Sequence, residues 1–382
     1  MLGEIKRQRP QRRSRVLRSC VAQDATTMRL ARPRINRSSS LRWGFRKSKS
    51  LDGSVSSSTG GLLKRLQMKT AALDRARLAL DGLSVGDAFG ERFFGPPALV
   101  EALIEQRVAP APPWFWTDDT AMALCVFEEL EEKQLIDRDS LALRFARRYR
   151  MDNRRGYGGT AHEILTGISL GGHWREIAQA AFDGQGSMGN GSAMRVAPIG
   201  AYFADDMGAV IEHARASADP THAHPDGQAG AIAVAVAAAI ACQMGSGLRP
   251  TSGPALLNEV LARVPAGPTA SGIERALDVP LAADSAVAAA ELGNGSKVIS
   301  SDTVPFSLWC AARHLDNFEQ ALWTTVAGLG DRDTTCAIVG GIVALSAAHP
   351  AIPSLFLESR EPLDSTLDHL ERDAIYARIR RR

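Results

Sequence analysis

Between residues 71 and 348 apolar side chains recur at three- and four-residue intervals, and nowhere do β-branched residues alternate over five or more positions. A period of 3.6 places such residues on one helix face, whereas a half-buried strand needs a period of two. The chain is therefore expected to be all-α, with helices over 71–82, 119–133, 139–150, 159–168, 174–182, 207–217, 227–245, 256–264, 272–278, 304–314, 317–328 and 334–348. Stretches 231–241 and 337–348 are rich in Ala and Gly on every face. Such helices can pack closely at the centre of a bundle, with a site where helix N-termini converge. No internal repeat is visible, and the Pro/Gly-rich stretches 250–254 and 265–270 read as loops.

Residues 1–67 stand apart, with 17 Lys+Arg against 3 Asp+Glu, serine runs and little apolar periodicity. They cannot bury enough surface to fold and are expected to form a basic, Ser/Arg-rich disordered extension. A nucleic-acid or anionic-surface arm, a transit peptide and an upstream extension all fit that composition. Met68-Lys69-Thr70 opens directly onto the first helical pattern, which favours the third, with nucleic acid a partner only through this segment. Residues 68–382 then form a single domain with 28 basic and 39 acidic residues, a net charge of −11 hidden beneath the overall +3. No secretory apolar core is present, and the longest apolar run, 229–244, is mostly alanine, too short for the about 20 strongly apolar residues of a membrane span. Five cysteines without a CxxC pair fit buried thiols in a reducing compartment. A cytoplasmic monomer is expected.

Two acidic stretches carry the chemistry: Trp116-Thr117-Asp118-Asp119-Thr120 and Gly330-Asp331-Arg332-Asp333-Thr334-Thr335. One Asp-Asp-Thr ordinarily serves as a helix N-cap with carboxylates on the helix dipole. Two matched stretches about 200 residues apart, each opening an apolar helix, offer four carboxylates and several hydroxyls. That is the oxygen-donor set of Mg²⁺ or Mn²⁺, without thiolate or imidazole.

Glycine-rich segments 82–90, 156–160 and 184–195 fit turns whose N–H groups approach a phosphate. None matches a Walker A lysine motif or a dinucleotide fingerprint after a strand, so a P-loop NTPase or a Rossmann enzyme is excluded. Thr221-His222-Ala223-His224 precedes the long Ala-rich helix; an H-x-H pair could bind zinc, but no third ligand has suitable spacing. Beside the glycine loops, His222 fits a substrate contact. A helical phosphohydrolase with a His-Asp dipeptide is also excluded, since no histidine is followed by Asp.

In order along the chain, GDAFG, WTDDTAMA, GYGGT, GNGSAMRVAPIG, THAHPDGQAGA and GLGDRDTTCAIVGG resemble the ADP-ribosylglycohydrolase family over about residues 71–348. The resemblance implies a compact, orthogonal multi-helix bundle, a centre of two Mg²⁺ or Mn²⁺ ions, and hydrolysis of the glycosidic bond joining ADP-ribose to a modified protein side chain or a small molecule. Carried over by position, it makes Thr117, Asp118, Asp119, Asp331, Asp333 and Thr334 the metal ligands. Ser187, Met188, Gly189, Asn190, Gly191 and Ser192 become the loop for pyrophosphate and ribose, and His222 a substrate contact. Gly86-Asp87 matches a structural motif at the site rim.

The chain departs from the pattern in places. Some relatives carry a catalytic glutamate several residues beyond GDxxG, whereas here Glu91 follows that glycine directly. Asp118, Asp119 and Glu91 are thus the catalytic candidates for moving the proton. Asp152 lies in a local pattern unlike that of one branch, and Arg332 stands where a small polar residue is common. The competing reading is a catalytically silent ADP-ribose binder or structural relative. The intact oxygen ligands argue against it, because clustered carboxylates are costly without a role.

Overall fold

The structure is a computed structural model that describes residues 55–365 and 369–379; most of the expected basic extension lies outside them. Seventeen α-helices follow: α1 (Val55–Glu91), α2 (Pro97–Glu105), α3 (Asp118–Lys133), α4 (Arg138–Met151), α5 (Gly159–Ser169) and α6 (Trp174–Gly184). After a 3₁₀ turn at Asn190–Ser192 come α7 (Ala197–Tyr202), α8 (Met207–Ala218), α9 (Pro225–Gly245), α10 (Gly253–Leu261), α11 (Pro268–Asp278) and α12 (Ser285–Leu292). The chain continues with α13 (Ser300–Arg313), α14 (Phe318–Val326), α15 (Arg332–Ser346), α16 (Ser354–Ser359) and α17 (His369–Ile379). Among the described residues there is no strand, only two isolated bridges, Trp114 with Arg360 and Gly189 with Ile299. The all-α expectation holds. Helical backbone begins at Val55, upstream of the first helix expected from residue 71 and of the domain start expected at Met68.

Local chemistry explains many helix starts. Asp137, Asp206, Ser252, Asp284 and Asn317 each accept a first-turn N–H through the side chain, satisfying donors that have no intrahelical partner. Proline stands within the first two positions of α2, α7, α9, α10 and α11, where its missing N–H costs nothing.

The centre is built from small side chains. α9 is buried along nearly its whole length, as is α15 from Thr334 onward. By length and composition α9 could cross a membrane, yet 89% of its apolar window is buried within the protein, which is where a helix apolar on every face belongs in a bundle.

α1 and α15 approach backbone to backbone, and their contact corrects one expectation. Residues 82–90 do not form a turn after the first helix; they are its last turns. Four-residue spacing puts Gly82, Gly86 and Gly90 on one face. A Cβ at Gly86 would lie 2.0 Å from the Cys336 carbonyl oxygen, and one at Gly82 would lie 2.4 Å from that of Gly340. Backbone meets backbone with no room for a methyl group, so these glycines set the helix separation rather than cradle a phosphate. That contact delivers Asp87, on α1, to the start of α3.

Candidate active site

The two acidic stretches open α3 and α15, and both line one cavity of about 690 Å³. Asp118, Asp119, Asp331, Asp333 and Thr334 form its acidic wall. The lining continues with Ser187, Met188, Gly189, Asn190, Gly191 and His222, with Phe182, Val298 and Ile299 adding apolar surface. A separate concavity of about 530 Å³ lies between Pro112, Pro113 and residues 357–362 and lacks the paired acids.

Asp87 is the brace of the first stretch. Fully buried, it accepts the Thr117 N–H at 2.9 Å and hydroxyl at 2.8 Å, and the Thr120 N–H at 3.1 Å and hydroxyl at 2.5 Å. A carboxylate from another helix thereby takes up donors at the α3 N-terminus, a role usually filled locally. The Thr117 hydroxyl also lies 3.0 Å from Asp119 Oδ2, so its one proton is shared between two acids. The Asp118 N–H donates to the Arg155 carbonyl at 2.7 Å. The second stretch is braced by amides: Asn190 Nδ2 donates to Asp331 Oδ2 at 2.7 Å and to Thr303 Oγ1 at 3.1 Å, and the Asp331 N–H donates to the Asn294 carbonyl at 3.0 Å.

Electrostatically the wall is overloaded. Burial, with Asp87 adding to it, pushes the Asp118 carboxyl up to about 8. Burial, then Asp87 and Asp118, holds Asp119 well above the usual carboxylate range, and burial, then Asp119 and Asp331, does the same to Asp333. Burial raises Asp87 to about 6 against the hydrogen bonds from Thr120 and Thr117. Asp119 Oδ1 and Asp333 Oδ1 are buried without a hydrogen-bond partner. Buried acceptors of this kind are costly unless something cationic meets them. Among the described residues no three His, Cys, Asp or Glu side chains are closed into a metal-ligand group. The acids instead border an open cavity, and their unpartnered oxygens and mutual repulsion fit a hard divalent cation.

The rest of the lining carries the cationic side chains of Arg195 and Lys297. Arg195, fully buried over the Phe145 ring, donates to the Gly191 carbonyl at 3.1 Å, the Ser217 carbonyl at 2.6 Å and Thr221 Oγ1 at 2.9 Å. Because Thr221 Oγ1 accepts from Arg195, its own proton goes outward; His222 Nδ1 stands 2.7 Å away, against 3.4 Å to the Ala218 carbonyl. Burial, then Arg195, lowers the His222 pKa to about 3. A neutral ring accepting at Nδ1 carries its proton on Nε2. A Cβ at Gly189 would lie 3.2 Å from that nitrogen, and one at Gly191 would lie 3.3 Å from Cε1. The glycines make room for this imidazole, while the Gly189 N–H donates to Ser187 Oγ at 3.1 Å and the Asn190 N–H to the Val298 carbonyl at 3.2 Å.

Several predicted residues fall elsewhere. Ser192 is buried and donates to the Gly227 carbonyl at 2.7 Å, off the cavity wall, because the 3₁₀ turn directs it at α9. Thr117 is likewise behind the wall, engaged with Asp87. Glu91, at the end of α1, is not among the lining residues; burial and then Asp87 raise its carboxyl to about 7. Asp152 pairs with Arg155 at 3.0 Å and with Arg372 at 2.5 Å, which lowers its pKa and removes it from the candidates. Arg332 is partly exposed and off the cavity lining: it donates to the Phe93 carbonyl at 2.5 Å and lies over the Phe94 ring. Sequence reasoning did not assign Asp87 as the brace, Arg195 as the support of His222, or the Asn190 side chain as the partner of Asp331. For Arg195 and Asn190 the only sequence signal was their place in the 184–195 segment.

The ADP-ribosylglycohydrolase family model matches residues 68–382. The human ADP-ribosylhydrolase ARH3 is 27% identical over 341 residues, covering 77% of this chain and 91% of that protein. An uncharacterized protein of Archaeoglobus fulgidus is 31% identical over 297 residues, covering 75% of this chain and 91% of its own length. A solved structure titled ADP-ribosylglycohydrolase-related protein complex superposes with a TM-score of 0.55 at 24% identity, covering 78% of this chain and 95% of that one; it supports the fold.

Proposed function

This chain belongs to the ADP-ribosylglycohydrolase family, and from that premise we propose that it is a divalent-cation-dependent hydrolase cleaving the glycosidic bond between ADP-ribose and an acceptor, either a modified protein side chain or a small molecule. The observation that carries the cation is the pair of buried, unpartnered oxygens, Asp119 Oδ1 and Asp333 Oδ1, on two helix N-termini that share one cavity. Asp118, Asp119, Asp331, Asp333 and the Thr334 hydroxyl would hold two Mg²⁺ or Mn²⁺ ions, with Thr117 contributing only through a lone pair left free by Asp87. Such ions supply charge compensation and Lewis acidity toward ribose hydroxyls and water.

The chain's own groups do the rest. The Gly189 N–H is taken by Ser187 Oγ and the Asn190 N–H by the Val298 carbonyl, so the donor offered to a diphosphate from this side is His222 Nε2–H, which stays neutral across the physiological pH range. Phe182 and Val298, exposed on the cavity lining, offer apolar faces to a base. With the diphosphate on that side, the ribose carbon bearing the acceptor falls toward the acids, where positive charge develops as the bond breaks. Asp118 and Asp119, on the cavity lining, are the carboxylates proposed to take the proton of the attacking water; Glu91 lies off that lining.

The test is release of free ADP-ribose from arginine-linked and serine-linked ADP-ribosyl peptides by the full chain with Mg²⁺, with Mn²⁺ and with EDTA. Release that EDTA abolishes is expected. ADP-ribose binding without release from either peptide, under all three conditions, would return the silent-binder reading.

A further inference from the structure

We propose that the buried Arg155–Glu361 pair is a positioning device for the acidic wall, which ties the cation site to a segment more than two hundred residues further along the chain; the inference rests on the cation reading above. Arg155 reaches three parts of the first acidic stretch. Its carbonyl accepts the Asp118 N–H at 2.7 Å, its Nη1 donates to the Trp116 carbonyl at 2.8 Å, and its guanidinium carbon lies 3.3 Å from the Trp116 ring centroid. The adjoining Gly156 takes φ +91°, and a Cβ there would stand 3.4 Å from Asp118 Oδ1.

The guanidinium is itself fixed by a two-point bond to Glu361, at 2.6 and 3.0 Å, with side-chain exposures of 4% and 1%. Planar pairing of this kind sets orientation as well as energy. Glu361 belongs to a short extended segment that runs beside Trp114: the Trp114 N–H donates to the Ser359 carbonyl at 2.6 Å, and the Glu361 N–H to the Trp114 carbonyl at 2.8 Å. Residues 114 to 118 are thus clamped between a downstream segment on one side and Arg155 on the other. None of these groups lines the cavity except Asp118 and Gly156, so Arg155 and Glu361 act through Asp118 rather than on substrate.

Outer groups that orient a metal ligand typically change metal affinity by about 10–100-fold when removed. The experiment measures Mn²⁺ binding to the full chain directly, from the electron paramagnetic resonance of free Mn²⁺. Glu361→Gln is expected to raise the Mn²⁺ dissociation constant about tenfold or more, while ADP-ribose affinity measured in EDTA is unchanged. Glu361→Asp, which keeps the buried charge compensated at shorter reach, is expected between wild type and Glu361→Gln, and it carries the test alone if Glu361→Gln is insoluble. Leu257→Ala, in the buried face of α10, serves as control: it lowers thermal stability and leaves Mn²⁺ affinity intact. Wild-type Mn²⁺ affinity in both Glu361 variants would overturn this inference alone, as would an equal loss in Leu257→Ala. Absence of Mn²⁺ binding by the wild-type chain would overturn the cation reading, and this inference with it.

Discussion

The two walls of the cavity are built on opposite principles. The acidic wall gathers acceptors faster than it supplies donors: Asp119 and Asp333 each keep a buried oxygen without a partner, and even the brace, Asp87, is another carboxylate. The other part of the lining is mostly paired before anything binds: Arg195 donates to Thr221, which bonds His222 behind the glycine loop, although Arg195 Nε stays buried without a partner. One wall is incomplete as it stands and calls for cations; the other is preformed and calls for a ligand with acceptor atoms. Fixed donors on one side and electrostatic demand on the other let substrate binding and cation binding be separated by mutation.

The largest expected effect breaks the acidic wall alone. Asp333→Asn should lose cation binding and turnover together, by more than the roughly 100-fold that outer groups cost, while ADP-ribose still binds in EDTA; Asp118→Asn should behave alike. Full activity in either variant would remove the assignment. Asp87→Asn comes next. It presents an amide to donors that the carboxylate accepted, so a loss of about 1–3 kcal/mol in thermal or urea unfolding is expected, with cation affinity down by about 10–100-fold. Gly189→Ala breaks the other wall, because its Cβ would meet His222 Nε2 at 3.2 Å. KM should rise by about tenfold, one lost hydrogen bond's worth, with the Mn²⁺ titration unmoved.

The comparison also shows in pH dependence, whose sign differs between the walls. Folding raises the Asp118 carboxyl from 3.8 to about 8, so in EDTA the folded chain binds more protons than the unfolded one between those values. Stability of the cation-free chain should therefore fall as pH rises from about 4 to about 8, and Mg²⁺ should remove that trend. His222, lowered from 6.5 to about 3, works the other way: its contribution is full above 6.5 and is lost as pH falls toward 3. Thermal unfolding across pH with and without Mg²⁺ reads both.

Much of this was legible in the sequence, and the misses share a cause. Trp116 to Thr120 and Gly330 to Thr335 could be paired because each carries its acids beside a hydroxyl at the head of an apolar helix, and that local pattern survives folding. Gly82, Gly86 and Gly90 misled because four-residue glycine spacing fits a loose turn as well as a helix contact face, and only α15 decides between them. The short helices α2, α7 and α12 span too few turns to establish a period. Arg155 and Glu361 lie 206 positions apart, and nothing local marks either as the other's partner. Asn190 was placed by its glycine neighbours as a backbone donor, whereas its side chain turns back to Asp331.

The central claim, that the acidic wall is a cation site, is tested most directly by counting Mn²⁺ ions bound per chain near neutral pH for wild type and Asp333→Asn. The account predicts two in the wild type, with proton release on binding, and a clear loss in the variant. Equal binding in both, or none in a wild-type chain that still binds ADP-ribose, would contradict it.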